Sequence, residues 1–177
     1  MTVPVDRMSL HAELDGARTR FHALLEAATP EDLRKGSDGT KWNNEQLLFH
    51  MLFGYLIARA LLFVMRVVSR LPTPLGRGFA GILNAPKRPF DMVNYWGSCI
   101  GVKVFDHTRM GKRFDAVVDS LHRHLDKDSE AELRRSMPYP SRWDPFFAET
   151  MTRADLYHYA TQHFDFHRKQ LTLPDAS

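Results

Sequence analysis

The apolar residues near the start of the chain recur at intervals of three and four, the spacing of a helix that buries one face. These positions are Leu10, Leu14, Ala17, Phe21, Leu24, Leu25 and Ala28. Pro30 follows them, and a proline at this point typically ends a helix. The pattern therefore predicts a first helix over about Asp6 to Ala28.

The most apolar part of the chain follows a turn-rich stretch over 34–40 and predicts a second helix over about Asn44 to Ser69. At about 100° per residue, one line of this helix carries His50, Gly54, Ile57, Leu61, Val64 and Val68. The opposite side carries Arg59, Arg66 and Arg70. Because charged residues interrupt the apolar run, we predict a buried helix with a solvated basic face and not a membrane span.

Two more helices are predicted in the C-terminal half. The third covers about His107 to Leu125, with apolar positions at Met110, Phe114, Val117, Val118, Leu121 and Leu125. The fourth covers about Arg153 to Leu173, because Thr152 and Asp155 have the spacing of a capping box. Its inward line is Leu156, Tyr159, Ala160, His163, His167 and Gln170. Its outward residues are His158, Thr161, Asp165, Arg168 and Lys169.

The segments between these helices predict the overall arrangement. A proline- and glycine-rich stretch over 71–105 reads as a long connection between the second and third helices. A short helix is predicted over Asp128 to Arg135, and an extended or turning stretch over 137–145. Four apolar-faced helices without a convincing strand predict an all-α fold, a four-helix bundle with residues 1–177 in a single domain.

Composition narrows the classes of function. The chain has 177 residues, and its 24 basic and 21 acidic residues are interspersed, so we expect no nucleic-acid partner. Its single cysteine, Cys99, excludes an intrachain disulfide, and its neighbours supply no charge that would make it reactive. No apolar stretch of signal-peptide length is found at the N-terminus. We therefore expect a cytoplasmic protein with an inert thiol.

Three histidines are candidate metal ligands. His163 and His167 lie four residues apart on the inward line of the fourth helix, and His50 lies on the inward line of the second. Antiparallel packing of these helices would bring all three together. Neutral imidazoles bind divalent metals at about 2.0–2.1 Å, and three of them leave a fourth position open. The alternatives are hydrogen-bonded core histidines, or ligands drawn from His107, His122 and His124.

Two segments carry a resemblance to a known family. The Trp42–His50 segment and the Thr152–Leu171 segment with its His-x-x-x-His spacing are similar to the DinB/YfiT-like metalloprotein superfamily. The resemblance implies a DinB-like four-helix bundle with a divalent metal, zinc or nickel, on His50, His163 and His167. The long connection between the second and third helices departs from compact members of the superfamily.

The resemblance also implies a function. It suggests a metal-dependent enzyme, either a transferase acting on a low-molecular-weight thiol or a hydrolase, with a small-molecule substrate. Tyr95 and Trp96 would then shield the site from water. The alternative is a non-catalytic helical protein that binds a small ligand or forms a homodimer, with a structural metal or none. We do not expect a membrane-surface role for the basic face and residues 71–90.

One further motif has a simple explanation. Residues 76–81 match the Gly-x-Gly-x-x-Gly pattern of dinucleotide-binding proteins letter by letter. The pattern has meaning only between a strand and a helix, and here it follows a predicted helix and two prolines. We therefore interpret this match as accidental.

Overall fold

A computed structural model of the protein describes residues 5–68, 95, 97–102, 107–139, 141 and 144–174. Its long helices are α1 (Arg7–Ala27), α3 (Asn44–Val68), α4 (His107–Lys127) and α6 (Arg153–Arg168). Its short elements are α2 (Pro30–Arg34), α5 (Glu130–Leu133), β1 (Ser136–Pro138) and β2 (Thr150–Thr152). The all-α prediction is confirmed, because the only described strands form one two-stranded antiparallel sheet.

The ends of the long helices follow from local capping. The Asp6 carboxylate accepts a hydrogen bond from the Ser9 N–H at 3.0 Å and starts α1. The predicted capping box of α6 is present, since Asp155 N–H donates to the Thr152 hydroxyl at 3.1 Å and Thr152 N–H donates to the Asp155 carboxylate at 2.8 Å. The end of α6 differs from the prediction, because the chain turns after Arg168 and not at Leu173.

Two short elements were missed from the sequence. Pro30, interpreted as a stop for the first helix, also begins α2, where Thr29 and Asp32 form a capping box. The strands β1 and β2 pair Met137 with Met151, and both methionines are buried. Burial of these two side chains favours a short sheet, although no alternating apolar pattern in the sequence predicts one.

The helix pair that positions the site is α3 and α6. Their antiparallel orientation is visible in their contacts, since His50 near the start of α3 meets His167 near the end of α6, and the Tyr55 and Thr161 hydroxyls lie 3.4 Å apart farther along. The prediction that Thr161 faces outward is therefore wrong. Because α6 packs against α1 as well as α3, its buried arc is wider than one line and also includes Phe164.

Helix α3 is the one described helix that is long and apolar enough to cross a membrane. Within its most apolar window, 61% is buried inside the protein, as in the core helix of a bundle. On its predicted solvated basic face, the Arg66 side chain is 41% exposed, and its guanidinium also lies 3.3 Å from the buried carboxylate of Asp128. Arg70, Trp96 and residues 71–94 lie outside the described part of the chain, as does the glycine-rich motif over 76–81.

Candidate metal centre

The three predicted histidines meet between α3 and α6. His50 and His163 are each only 3% exposed, and His167 is half-buried at the edge of the group. Ring centroids lie 4.9 Å apart for His50 and His163, and 4.5 Å apart for the other two pairs. One nitrogen from each ring can be chosen so that all three lie within 4.8 Å of one another. The helix packing therefore converges three imidazoles on one point.

The spacing of two of these nitrogens fits a shared ion. His50 Nε2 and His167 Nε2 are 3.1 Å apart. Two nitrogens bound at about 2.0–2.1 Å to one tetrahedral ion would be about 3.3 Å apart. On the far side of each ring, the Ser98 hydroxyl lies 3.4 Å from His50 Nδ1 and the Gln170 side-chain oxygen lies 2.7 Å from His167 Nδ1. Such outer partners fix the ring orientation and leave Nε2 for the metal.

His163 is held by a close backbone approach and by a carboxylate. A Cβ added at Gly54 would lie 2.5 Å from His163 Nδ1, so α3 admits this ring only because residue 54 is glycine. His163 Nε2 lies 3.7 Å from the Asp144 carboxylate, which accepts a hydrogen bond from the Tyr159 hydroxyl at 3.1 Å. His163 Nδ1 is buried and has no hydrogen-bond partner among the described residues. The ring therefore has one unused nitrogen.

Burial keeps the three imidazoles neutral. Burial and, to a smaller extent, the nearby His167 lower the pKa of His50 to about 3. The pKa of His163 is well below its usual value because of burial and then because of the two neighbouring histidines, and burial also lowers the pKa of His167. A neutral imidazole carries the lone pair that a metal ion binds. The site is therefore in the protonation state that ligation requires.

A cavity of about 290 Å³ opens beside His167. Its described lining includes Thr40, Lys41, Trp42, Tyr95, His167 and Gln170. Trp42 stacks on His50 with ring centroids 4.4 Å apart, and it is held in place through its carbonyl, which accepts the Ser37 N–H at 3.0 Å. Tyr95 thus lies beside the site, as predicted. The cavity gives a small molecule access to the side of the centre that His167 forms.

The chain matches the DinB superfamily over residues 13–171. It belongs to the DinB superfamily. A search of curated proteins and a search of solved structures each gave no significant match. Metal binding is general in the superfamily. The superfamily match covers both helices that carry the three histidines. The histidines that converge in the structure therefore lie in the part of the chain that matches the superfamily.

None of the other histidines whose side chains the structure describes joins this group in the DinB-superfamily protein. His122, one of the alternative ligands, lies 2.6 Å from His11 through the Nδ1 atoms, and their Nε2 atoms face Asp15 and Asp126. His124 is half-buried on α4 and belongs to no described metal-binding group, and the side chain of His107 lies outside the described residues. Within the described part of the chain, only the predicted three form a group able to hold an ion.

The sequence did not reveal Asp144 or Ser98. Asp144 follows a proline-rich stretch without periodicity, and Ser98 lies in the long connection between the second and third predicted helices. Each reaches a histidine through the tertiary fold, so no spacing along the chain points to it. The proline-rich composition around Asp144 is the only signal in its neighbourhood, and it indicates a loop without identifying the residue. The fit of the described residues to a metal is nevertheless complete: neutral donors, oriented rings and one unused buried nitrogen.

Proposed function

We propose that this DinB-superfamily protein is a metal-dependent enzyme, with zinc or nickel held by His50, His163 and His167. The observation that carries the proposal is the convergence of three neutral imidazoles, one nitrogen from each lying within 4.8 Å of the others, with the His50 and His167 Nε2 atoms 3.1 Å apart. A buried polar atom without a partner is uncommon in proteins. His163 Nδ1 is such an atom, and a group of three neutral imidazoles around one point is better explained by cation binding than by core packing.

The proposed chemistry is activation of a small nucleophile. A divalent ion, when bound, lowers the pKa of a coordinated thiol or water, so that thiolate or hydroxide is present at neutral pH. The three histidines hold the ion, while Gln170 and Ser98 orient two of the rings. The cavity beside His167 admits the reacting molecules. Transfer of a low-molecular-weight thiol to an electrophile, or hydrolysis of a small substrate, would both use this arrangement.

The open side of the centre favours an enzyme over the non-catalytic alternative. A structural metal site is closed by protein ligands, whereas a catalytic site keeps a position for water or substrate. Among the described residues only three offer ligands in one group, and one of them lines the cavity. A small-molecule substrate and a cytoplasmic location belong to the same proposal.

Elemental analysis of the tag-free protein tests the metal. We expect about one divalent ion per chain in the wild type and none in the triple variant His50→Ala, His163→Ala, His167→Ala. The double variant His11→Ala, His122→Ala removes two other histidines and should keep the ion. The loaded wild type is then screened for thiol transfer and for hydrolysis. A wild-type protein that takes up neither zinc nor nickel on incubation would refute the proposal.

A further inference from the structure

The described lining of the cavity beside His167 carries positive formal charge and no negative one. Among the described lining residues, the exposed Lys41 is the only one with a formally charged side chain. The other described lining groups are the neutral Thr40, Trp42, Tyr95 and Gln170, together with His167. A concave site with a single unopposed cation attracts anions.

The proposed metal would add to this positive potential. Three neutral imidazoles leave the two charges of a divalent ion uncompensated, in contrast to sites that include carboxylate ligands. Among the described residues, the carboxylate in contact with the histidines is that of Asp144, which lies 3.7 Å from His163 Nε2 and is not part of the described cavity lining. The ligand that enters from the cavity would therefore supply the missing negative charge.

Two aromatic rings shape the same cavity. The rings of Trp42 and Tyr95 are nearly parallel, with an angle of 17° between their planes and 6.3 Å between their centroids. Trp42 is fixed by stacking on His50, so its position is coupled to the centre itself. Aromatic walls with one placed charge are typical of sites for small organic ligands, although about 290 Å³ is at the lower end of their size range.

We propose that the substrate of this site is a small planar organic carboxylate. Lys41 binds the carboxylate, and the planar body packs against the aromatic surface that Trp42 and Tyr95 form together. The proposal deepens the proposed function, since it names the substrate class of the same centre. It rests on that function only for the statement that the bound acid is a substrate, because Lys41 and the rings form the cavity without a metal.

Binding of three matched probes tests the inference. Benzoate, benzamide and benzylamine share one ring and differ in charge, and their dissociation constants are measured by calorimetry and ligand-observed NMR on the full chain. Each measurement is made after chelation and again after zinc loading. In the chelated wild type we expect benzoate to bind about fivefold more tightly than benzamide, and benzylamine to bind least. Zinc should increase the benzoate affinity further.

Variants of Lys41 identify the source of the preference. Lys41→Met should lose the roughly fivefold benzoate advantage and bind benzamide as the wild type does, while Lys41→Arg should keep it. Lys112→Met, on the exposed surface of α4, is the matched control and should bind all three probes like the wild type. Trp42→Leu should weaken benzoate and benzamide together.

The outcomes separate this inference from the metal proposal. Equal benzoate affinity of the wild type and Lys41→Met, a preference for benzylamine, or no binding at millimolar benzoate would each overturn the inference, even if the protein holds zinc. A Lys41-dependent preference for benzoate in a protein that takes up no metal would support the anion site and refute the metal centre. Success of both measurements would define carboxylates as the first substrates to screen.

Discussion

The two ends of the antiparallel α3–α6 pair bury polar groups of different kinds, neutral histidines at one end and paired charges at the other. The sixteen residues from His50 to Arg66 separate these ends by about 24 Å at the rise of an α-helix. At one end the histidines converge. At the other, the fully buried Asp128 carboxylate lies 2.7 Å from the Arg153 guanidinium and 3.3 Å from that of Arg66, with the Tyr157 hydroxyl also 3.3 Å away.

The two ends differ in whether their buried groups compensate one another's charge. At Asp128, both carboxylate oxygens have donors, and the charges of opposite sign are neighbours. The charges of this cluster therefore compensate one another within the protein, although the buried Arg153 Nε has no hydrogen-bond partner among the described residues. At the histidines, three neutral bases meet one carboxylate, that of Asp144, which lies 3.7 Å from His163 Nε2, and the buried Nδ1 of His163 has no partner among the described residues. Stability accounts for the first end, and the proposed metal would account for the second.

Removal of the charge at Asp128 should have the largest effect on stability. Asp128→Ala leaves the Arg153 guanidinium, whose side chain is 3% exposed, without its closest carboxylate. We expect a loss of about 3–5 kcal/mol in the free energy of unfolding, measured by urea denaturation, because an uncompensated buried charge is costly. Asp126→Ala, whose carboxylate is 64% exposed, should lose less than about 1 kcal/mol. Equal losses would remove the contrast between the two ends.

Acid should destabilise the metal-free protein through the histidine end. In the unfolded chain His50 binds a proton below about pH 6.5, whereas in the folded chain its pKa is about 3. This stability is therefore present well above pH 6.5 and is lost as the pH falls towards 3, by about 2–3 kcal/mol between pH 7 and pH 4.5 for His50 alone. His163 contributes in the same direction.

Urea denaturation at pH 7 and pH 4.5, in the presence of a chelator, measures this loss. The triple variant His50→Ala, His163→Ala, His167→Ala keeps the carboxylates of the wild type, such as Asp32, whose pKa of about 2 also makes acid destabilising. The difference between the two proteins therefore isolates the histidines. The variant should lose less stability than the wild type on acidification, and the same loss in both would show that the histidines are not held neutral.

The histidine centre could be predicted from the sequence because helices repeat regularly. A spacing of four residues places His163 and His167 on one face, and the position of His50 near the start of its helix matches their position near the end of α6. An antiparallel pair then suffices to bring them together. Each step depends on local periodicity and on one packing rule, so the ligand set did not require the tertiary structure.

The remaining features depend on packing that no local pattern specifies. Thr161 was placed on the outer side of α6, but α6 packs against both α1 and α3, so two neighbouring arcs of the helix are buried. Asp144 reaches His163 from a segment without regular structure. Pro30 both follows one helix and starts another, and the sequence around it permits either reading. Contacts between irregular segments and helices are therefore the part that only the structure provides.

The close approach at Gly54 gives a sharper test of the geometry. Gly54→Ala places a Cβ 2.5 Å from His163 Nδ1, so either the ring or the helix must move. We expect a loss of about 1–3 kcal/mol in the free energy of unfolding and at least a tenfold loss of zinc affinity, measured by competition with a chelator. Gly36→Ala is the control, because nothing lies within 4 Å of its added Cβ. Unchanged zinc affinity in Gly54→Ala would contradict this placement of the His163 ring.

The smallest expected effect concerns Asp144, the one acidic residue in contact with the histidines. Burial raises the pKa of Asp144, while the Tyr159 hydroxyl donates to its carboxylate. Asp144→Asn keeps the size and an acceptor for Tyr159 but removes the carboxylate beside His163. If this carboxylate orients the ring, zinc affinity should fall about tenfold, the lower limit for loss of such an outer partner.

Asp115→Asn is the control for Asp144→Asn. Asp115 also contacts a histidine, since its carboxylate lies 2.8 Å from His22 Nε2, but this pair is on α1 and α4 and shares no residue with the centre. Its substitution should leave zinc affinity unchanged. Equal affinities for both variants and the wild type would mean that the histidines bind zinc without help from Asp144. The contrast between the two ends would then rest on the imidazoles and the space they enclose, and the carboxylate would act only as an acceptor for Tyr159.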